Sequence, residues 1–277
     1  MRFVDEVRDV ARARMLAARI AELCEPGRAY RFVELCGGQR HIAYQPLLAG
    51  YLPDAVTLVP GPGCPVCALP AGRFDEVRHI AAQPGVVVAS YADMTAEPHT
   101  VAGVKRVHSP LDALTIARHN GALRVVFWAT GFEDTTPSTA VALIRAVAEG
   151  VRNFWVLCDH LRLPVVLDGL AGVAADGFIV PAQVSMVVGG SAYAGLGRPV
   201  VVAGPEPLDV LQALPLLLRQ VRDGRREVEN PGRAAAGDGN RVALRAIAEV
   251  LEPGPGARMR IRAALAAYDA AVSPPLA

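Results

Sequence analysis

The chain has 277 residues, of which 52% are hydrophobic and 20% charged, and a formal net charge of +1. This is globular composition, enough for one large domain or two modest ones, and it excludes a disordered or fibrous chain. The charge balance argues against nucleic acid or an anionic membrane as partner, and no apolar run approaches the roughly 18 residues of a spanning helix.

The N-terminal stretch MRFVDEVRDVARARM carries acids and bases throughout and has no signal-peptide core, so a cytoplasmic protein is expected. Residues 4–23 predict an amphipathic helix with Val4, Val7, Val10, Ala11, Met15, Ala18 and Leu23 roughly on one face. Apolar, β-branched runs follow at 30–35, 55–59, 85–90, 123–130, 153–158, 176–180 and 198–203, with helical patterns at 73–82, 110–119, 137–149 and 207–222 between them. Apolar strands separated by helices predict an α/β protein with mainly parallel sheet covered on both faces. A helix ending just before Gly121 in RHNGAL (118–123) marks a seam. The expected organisation is therefore an N-terminal helix over 1–29, a first α/β half over 30–120, a second over 121–223, and a helical C-terminal segment over 224–277. In that last segment, helices are expected near 239–251 and 257–271. VVFWATGFE and PVVVAGPEP share a strand-then-Gly-x-Glu form, a weak sign that the halves are related.

The chemistry-bearing residues fall where the strands end: CGGQRH, PGPGCPVC, YADM, GFEDTTP, DH, PAQVS and GPEPLD. In open α/β sheets ligands sit outside the carboxyl ends of the strands, on loops that carry polar residues without disturbing the core. Any one of these loops reads as a plain turn. Seven on one edge, two of them with cysteines, predict a site.

Two of the five cysteines, Cys64 and Cys67, have C-x-x-C spacing in a loop stiffened by Pro65. In a reducing compartment this spacing points to redox or transient thiol chemistry. A structural zinc with Cys36 and His41 as the remaining ligands, or inert turn cysteines, are the alternatives. A helix starting near residue 72 can lower the pKa of Cys67 through its N-terminus. Cys36 precedes Gly37 and Gly38, which permit close approach of backbone to a ligand, so it is expected in an accessible loop, with a buried strand-end cysteine as the alternative. Cys24 and Cys158 lie in apolar patterns and read as packing residues. Glu133 and Glu206 each follow a strand and a glycine, where an acid orients a ligand or caps a helix. Thr135 and Thr136 read as caps for a helix with Pro137 in its first turn. Asp159 and His160 read as a polar loop pair.

In order along the chain, ELCGGQRH, GPGCPVC, SYADM, SPLDAL, ATGFEDTTPSTA, DGFIVPAQVS and VAGPEPLD resemble the motif series of the HypD family, maturation factors of [NiFe] hydrogenases. The similarity extends from about residue 30 to about 270, through VEN (228–230) and GN (239–240), and GPGCPVC and SPLDAL are its most specific pieces. The resemblance implies a scaffold on which iron receives cyanide and carbon monoxide, working with a HypC-like small iron-sharing protein and a HypE-like cyanide donor. It implies two α/β halves facing a cleft, Cys36 as the iron thiolate, Cys64 and Cys67 as a redox pair, and His41, Asp93, Glu133 and Glu206 lining the cleft.

The sequence also departs from the family's pattern. Gln39 and Arg40 stand in the middle of the first motif, where the family has His and Thr, and only His41 matches. Asp134, Pro205 and Gln183 alter later motifs. The family's cluster cysteines lie near its C-terminus, whereas this sequence has no cysteine after Cys158, so a [4Fe–4S] cluster is predicted absent. The leading expectation is an assembly scaffold binding iron, or its Fe(CN)2CO unit, at Cys36, with Cys64 and Cys67 reduced by an external donor. A thiol oxidoreductase acting through Cys64 and Cys67, or a non-catalytic platform for the same partners, are the alternatives.

Overall fold

The structure, a computed structural model, describes residues 9–35, 47–62, 68–95, 101–170, 172–231 and 238–272. In chain order its helices are α1 (Val10–Leu23), α2 (Ala71–Ala81), α3 (Pro110–His119), α4 (Thr136–Ala148), α5 (Leu163–Asp168), α6 (Ala182–Val188), α7 (Pro207–Arg222) and α8 (Arg241–Val250). The strands are β1 (Tyr30–Glu34), β2 (Val56–Pro60), β3 (Val86–Ser90), β4 (Val104–Arg106), β5 (Arg124–Gly131), β6 (Phe154–His160), β7 (Gly177–Pro181), β8 (Val200–Ala203), β9 (Val228–Glu229), β10 (Leu251–Pro253) and β11 (Met259–Ile261). The seven expected strands are all present, within two residues at either end. The chain divides into a first unit, residues 1–64 with 167–240, and a second, 65–166 with 241–277.

The first unit holds a five-stranded sheet of order β2-β1-β7-β8-β9, parallel throughout. Tyr30, Phe32, Ile179 and Val201 from one face of this sheet share a core with α1 and α7. Asp9 caps α1 by accepting from Arg12 N at 3.0 Å. The helix turns Ala13, Ile20 and Leu23 inward while Val10 and Met15 are exposed, so the expected apolar face is corrected. A period of 3.6 over an Ala-rich helix leaves several candidate faces, and only contact with α7 selects one. In that contact Arg12 also donates to Gln212 Oε1 at 3.2 Å.

The second unit holds a four-stranded sheet of order β4-β3-β5-β6, again parallel throughout. Val126, Trp128 and Leu157 pack on one face with Val77 and Ile80 of α2. The seam expected at residue 120 is also corrected: β3 and β5, which flank it in sequence, pair from Val86↔Arg124 to Ala89↔Phe127. The predicted helix at 257–271 is instead strand β11 followed by a 3-10 helix, Ala263–Tyr268. Pro253, Gly254, Pro255 and Gly256 cannot continue α8 and reverse the chain, with Gly254 N donating to Arg258 O at 2.9 Å. The returning segment lies against the outer edge of β6 through an antiparallel bridge between Leu161 and Arg258, which covers an otherwise open strand.

Candidate functional site

The carboxyl edge of the first sheet is built around β1, which has a strand on each side. Its last residue, Glu34, is 3% exposed and opposes Pro60 of β2. Beyond it Leu35 N donates to Ile179 O at 2.9 Å, and Gly61 N donates to Glu34 O at 2.8 Å. The stretches carrying Cys36 and GPGCPVC therefore leave neighbouring strands at one edge, about 4.8 Å apart. Gly61 has a packing reason: a Cβ there would meet Val33 Cγ1 at 2.9 Å and Leu35 Cγ at 3.1 Å. Cys36, His41, Cys64 and Cys67 themselves lie outside the described residues.

Further along the same edge Gln183 follows β7, its Oε1 buried without a hydrogen-bond partner. Glu206 precedes α7, and its backbone N–H donates to Asp209 Oδ2 at 3.1 Å. Glu206 also borders a cavity of about 350 Å³ lined by Val10, Leu47, Leu48, Tyr51 and Leu208. SPLDAL uses the same device in the second unit. Asp112 accepts from Ser109 N and Ser109 Oγ from Leu111 N, both at 3.0 Å. Pro110 and Pro207 occupy first-turn positions, where a missing N–H costs nothing. Both motifs thus start helices, whatever else they do.

On the second sheet's carboxyl edge, β5 ends at Gly131, whose φ of +117° no other residue readily adopts and where a Cβ would collide with Thr135. Thr135 Oγ1 donates to Thr130 O at 3.0 Å, Thr136 Oγ1 to Phe132 O at 2.9 Å, and Ser138 Oγ to Thr135 O at 2.7 Å; these hydroxyls bond backbone carbonyls, and Thr135, at the N-cap of α4, accepts no side-chain capping bond, so the expected capping is corrected. Glu133 is 6% exposed and accepts from Leu163 N at 3.0 Å. Burial pushes its carboxyl up to about 7, against the pull of that backbone N–H and of Arg162. Of the acids singled out in the sequence, it alone has a described shift suited to proton transfer near neutrality. Asp93 lies in a 3-10 turn, Ala92–Thr95, directly after β3; its side chain is not among those described.

Asp159 and His160 are not a loop pair. Both lie in β6 and are buried. Burial lowers His160 to about 4, and its Nε2 shares a 2.8 Å hydrogen bond with Thr139 Oγ1. Asp159 accepts from Arg73 Nε at 3.0 Å and from Trp128 Nε1 at 2.9 Å. Cys158 beside it is a packing thiol, pushed up to about 12 by burial. Burial also raises Cys24, whose Sγ lies 3.3 Å from Ile20 O. Sequence reasoning passed over Glu34 and misplaced Asp159 in a loop. For Glu34 a signal was present: an acid inside an apolar strand run. For Asp159 the partner lies 86 residues away, at Arg73. Among the described residues no group of three or more His, Cys, Asp or Glu comes together as a metal site, and no helix is long and apolar enough to cross a membrane.

Fold and edges together define a parallel α/β protein of two units, the second with a buried carboxyl, Glu133, just beyond the end of a central strand. A family model named HypD and described as "Hydrogenase formation hypA family" matches residues 11–265. The chain is 41% identical over 305 residues to the hydrogenase maturation factor HypD of Azotobacter vinelandii, covering 98% of this chain and 80% of that protein. It is 43% identical over 276 residues to the hydrogenase expression/formation protein HupD of Azotobacter chroococcum mcd 1, covering 91% and 73%. It is 38% identical over 273 residues to HypD of Escherichia coli, covering 90% and 73%. The chain belongs to the HypD family of hydrogenase maturation factors.

Proposed function

We propose that this protein is a cytoplasmic assembly scaffold for the Fe(CN)2CO unit of [NiFe] hydrogenases. In this reading Cys36 supplies the thiolate that holds iron, the substrate, while cyanide and carbon monoxide are added. Cys64 and Cys67 exchange two electrons as a dithiol and disulfide, and His41, Asp93, Glu133 and Glu206 attend the iron and its ligands. The partners are a HypC-like protein that shares the iron and a HypE-like protein that donates cyanide; nucleic acid and membrane have no part. A soft thiolate suits iron with strong-field ligands. Glu133, near neutrality in its buried setting, fits proton transfer. The reading assigns no [4Fe–4S] cluster to these 277 residues and takes an external donor as the reductant of the Cys64 and Cys67 pair.

The observation that carries the reading is the register of β1 and β2, which starts the Cys36 and GPGCPVC stretches side by side on one sheet edge. The test is anaerobic purification with the small partner, followed by iron analysis and infrared spectroscopy of the cyanide and carbonyl bands in wild type, Cys36→Ala and Arg40→Ala. Loss of iron and bands in Cys36→Ala is expected. Wild-type bands in that variant would favour the platform reading, and loss in Arg40→Ala alone would assign the ligand's retention to charge rather than to the thiolate.

A further inference from the structure

Beyond β6 the backbone amides of residues 161–163 face alternate sides, as in a continuing strand. Leu161 N donates to Gly131 O at 2.9 Å and Leu163 N to Glu133 Oε2 at 3.0 Å, both toward the turn that follows β5. Arg162 N points the other way and donates to Ala257 O at 2.8 Å, in the returning C-terminal segment. The Arg162 side chain follows it, with Nη2 donating to Gly256 O at 2.6 Å. All of these residues belong to the second unit.

This alternation makes Arg162 a clamp. Leu163 N–H faces Glu133 while Arg162 N–H is turned to Ala257, because the two amides share one stretch of backbone. The turn that receives Arg162 is stiff: Pro253 and Pro255 fix φ, Gly254 N donates to Arg258 O at 2.9 Å, and Arg258 N donates to Pro255 O at 3.2 Å. The guanidinium is anchored by a carbonyl, its Nε is buried without a hydrogen-bond partner, and its positive charge acts on Glu133. Asp134, the residue next to Glu133, acts with the opposite sign. His160 is neutral above about pH 4 and faces Thr139, and the Arg258 guanidinium faces Asp159 at 3.8 Å, so neither takes this role.

We propose that Arg162 is a positioning residue for Glu133: clamped by Gly256 and Ala257, it keeps the Leu163 N–H on the carboxyl and a positive charge near it, and so governs that acid's proton exchange. The proposal rests on the reading of Glu133 as a proton-transfer group. The N–H bond and the charge both favour the ionised acid, against burial, which favours the neutral one. Without Arg162 the N–H bond loosens and the charge is gone, and both changes make the carboxyl hold its proton more tightly. The returning segment thereby acts on the acid through Arg162.

The experiment labels the glutamate carboxyls of the full chain with carbon-13 and titrates them by NMR, with Glu133→Gln to assign the resonance. Arg162→Gln should bind the Glu133 proton about tenfold more tightly, raising the midpoint of its titration. Arg162→Lys, which keeps the charge but loses the planar fork, should shift the midpoint the same way by about threefold and serves if Arg162→Gln does not fold. Arg260→Gln, which breaks the pair with Glu252 in the same returning segment, should leave the midpoint unchanged. An unchanged or lowered midpoint in folded Arg162→Gln or Arg162→Lys overturns the positioning role while leaving Glu133 a proton-transfer group, and an equal shift in Arg260→Gln overturns the assignment to Arg162. A wild-type Glu133 that titrates at the usual carboxylate midpoint overturns the proton-transfer reading and this proposal with it.

Discussion

Glu133 and His160 give the second unit two opposed pH dependences, and substituting one should expose the other. Glu133 is raised from 4.5 to about 7, so the native state holds a proton that the unfolded chain releases. Its contribution to stability is full below pH 4.5 and is lost as pH rises through 7. His160 is lowered from 6.5 to about 4, so its contribution is full above pH 6.5 and is lost as pH falls through 4. Between pH 5 and pH 8 each group changes stability by about 2 kcal/mol, with opposite sign, and the two nearly cancel. Glu133→Gln keeps the size of the side chain and an acceptor for Leu163 N–H but removes the proton. Relative to wild type, this variant should gain about 2 kcal/mol between pH 5 and pH 8. Asp159 and Asp269, both raised by burial, are common to the two proteins and drop out of the difference. The assay is urea unfolding followed by tryptophan fluorescence, which reports this unit because Trp128 and Trp155 both lie in it. Parallel pH profiles for wild type and Glu133→Gln would refute the assignment of a proton to Glu133.

Three further outcomes follow from the same geometry. In the native protein at pH 8, alkylation with mass mapping should label Cys64 and Cys67 after reduction while Cys158, at about 12, and the half-buried Cys24, also raised by burial, stay unlabelled; equal labelling of all five would remove the contrast. Ser109→Ala should cost about 1 kcal/mol in urea unfolding through loss of the bond to Leu111 N, and a change below a few tenths would mean that Asp112 carries the cap alone. Anaerobic reconstitution of these 277 residues with iron and sulfide should yield no stoichiometric four-iron cluster by iron counting and absorbance, and such a cluster would show that the thiols had been misassigned.

Strands were legible wherever an apolar run met a Gly or Pro, as at Arg124–Gly131, because burial on both faces leaves no room for polar residues. Helix starts were legible where Pro and an acid fall three residues into the pattern, as at Pro110 and Pro207. Pairing was not legible. Nothing local in VVVAS says that its neighbour is Arg124–Gly131 rather than Tyr30–Glu34, so nothing in the sequence spoke against reading the helix end before Gly121 as a seam. The segment 257–271 misled through its Ala and Leu content, although Met259 and Ile261 point inward with the period of a strand. Within the candidate site, Glu133 was found because it follows a strand and a glycine. Its proton affinity was not, since burial depends on Leu163 and the rest of the fold rather than on adjacent residues.

The chain passes between the units after residues 64, 166 and 240, so each unit is written in two pieces interleaved with the other. During synthesis β1 and β2 emerge early, but the other neighbour of β1 is β7, which follows the whole of 65–166. The open side of β1 must stay unpaired while about a hundred residues of the second unit are made, and that unit in turn leaves the β6 edge bare until 241–272 arrives. Non-local pairing of this kind folds slowly and exposes strand edges to other chains. It also sets a rule for dissection: no uninterrupted fragment holds either whole unit without part of the other, and the first can be produced alone only by splicing residue 64 to 167 through a new linker.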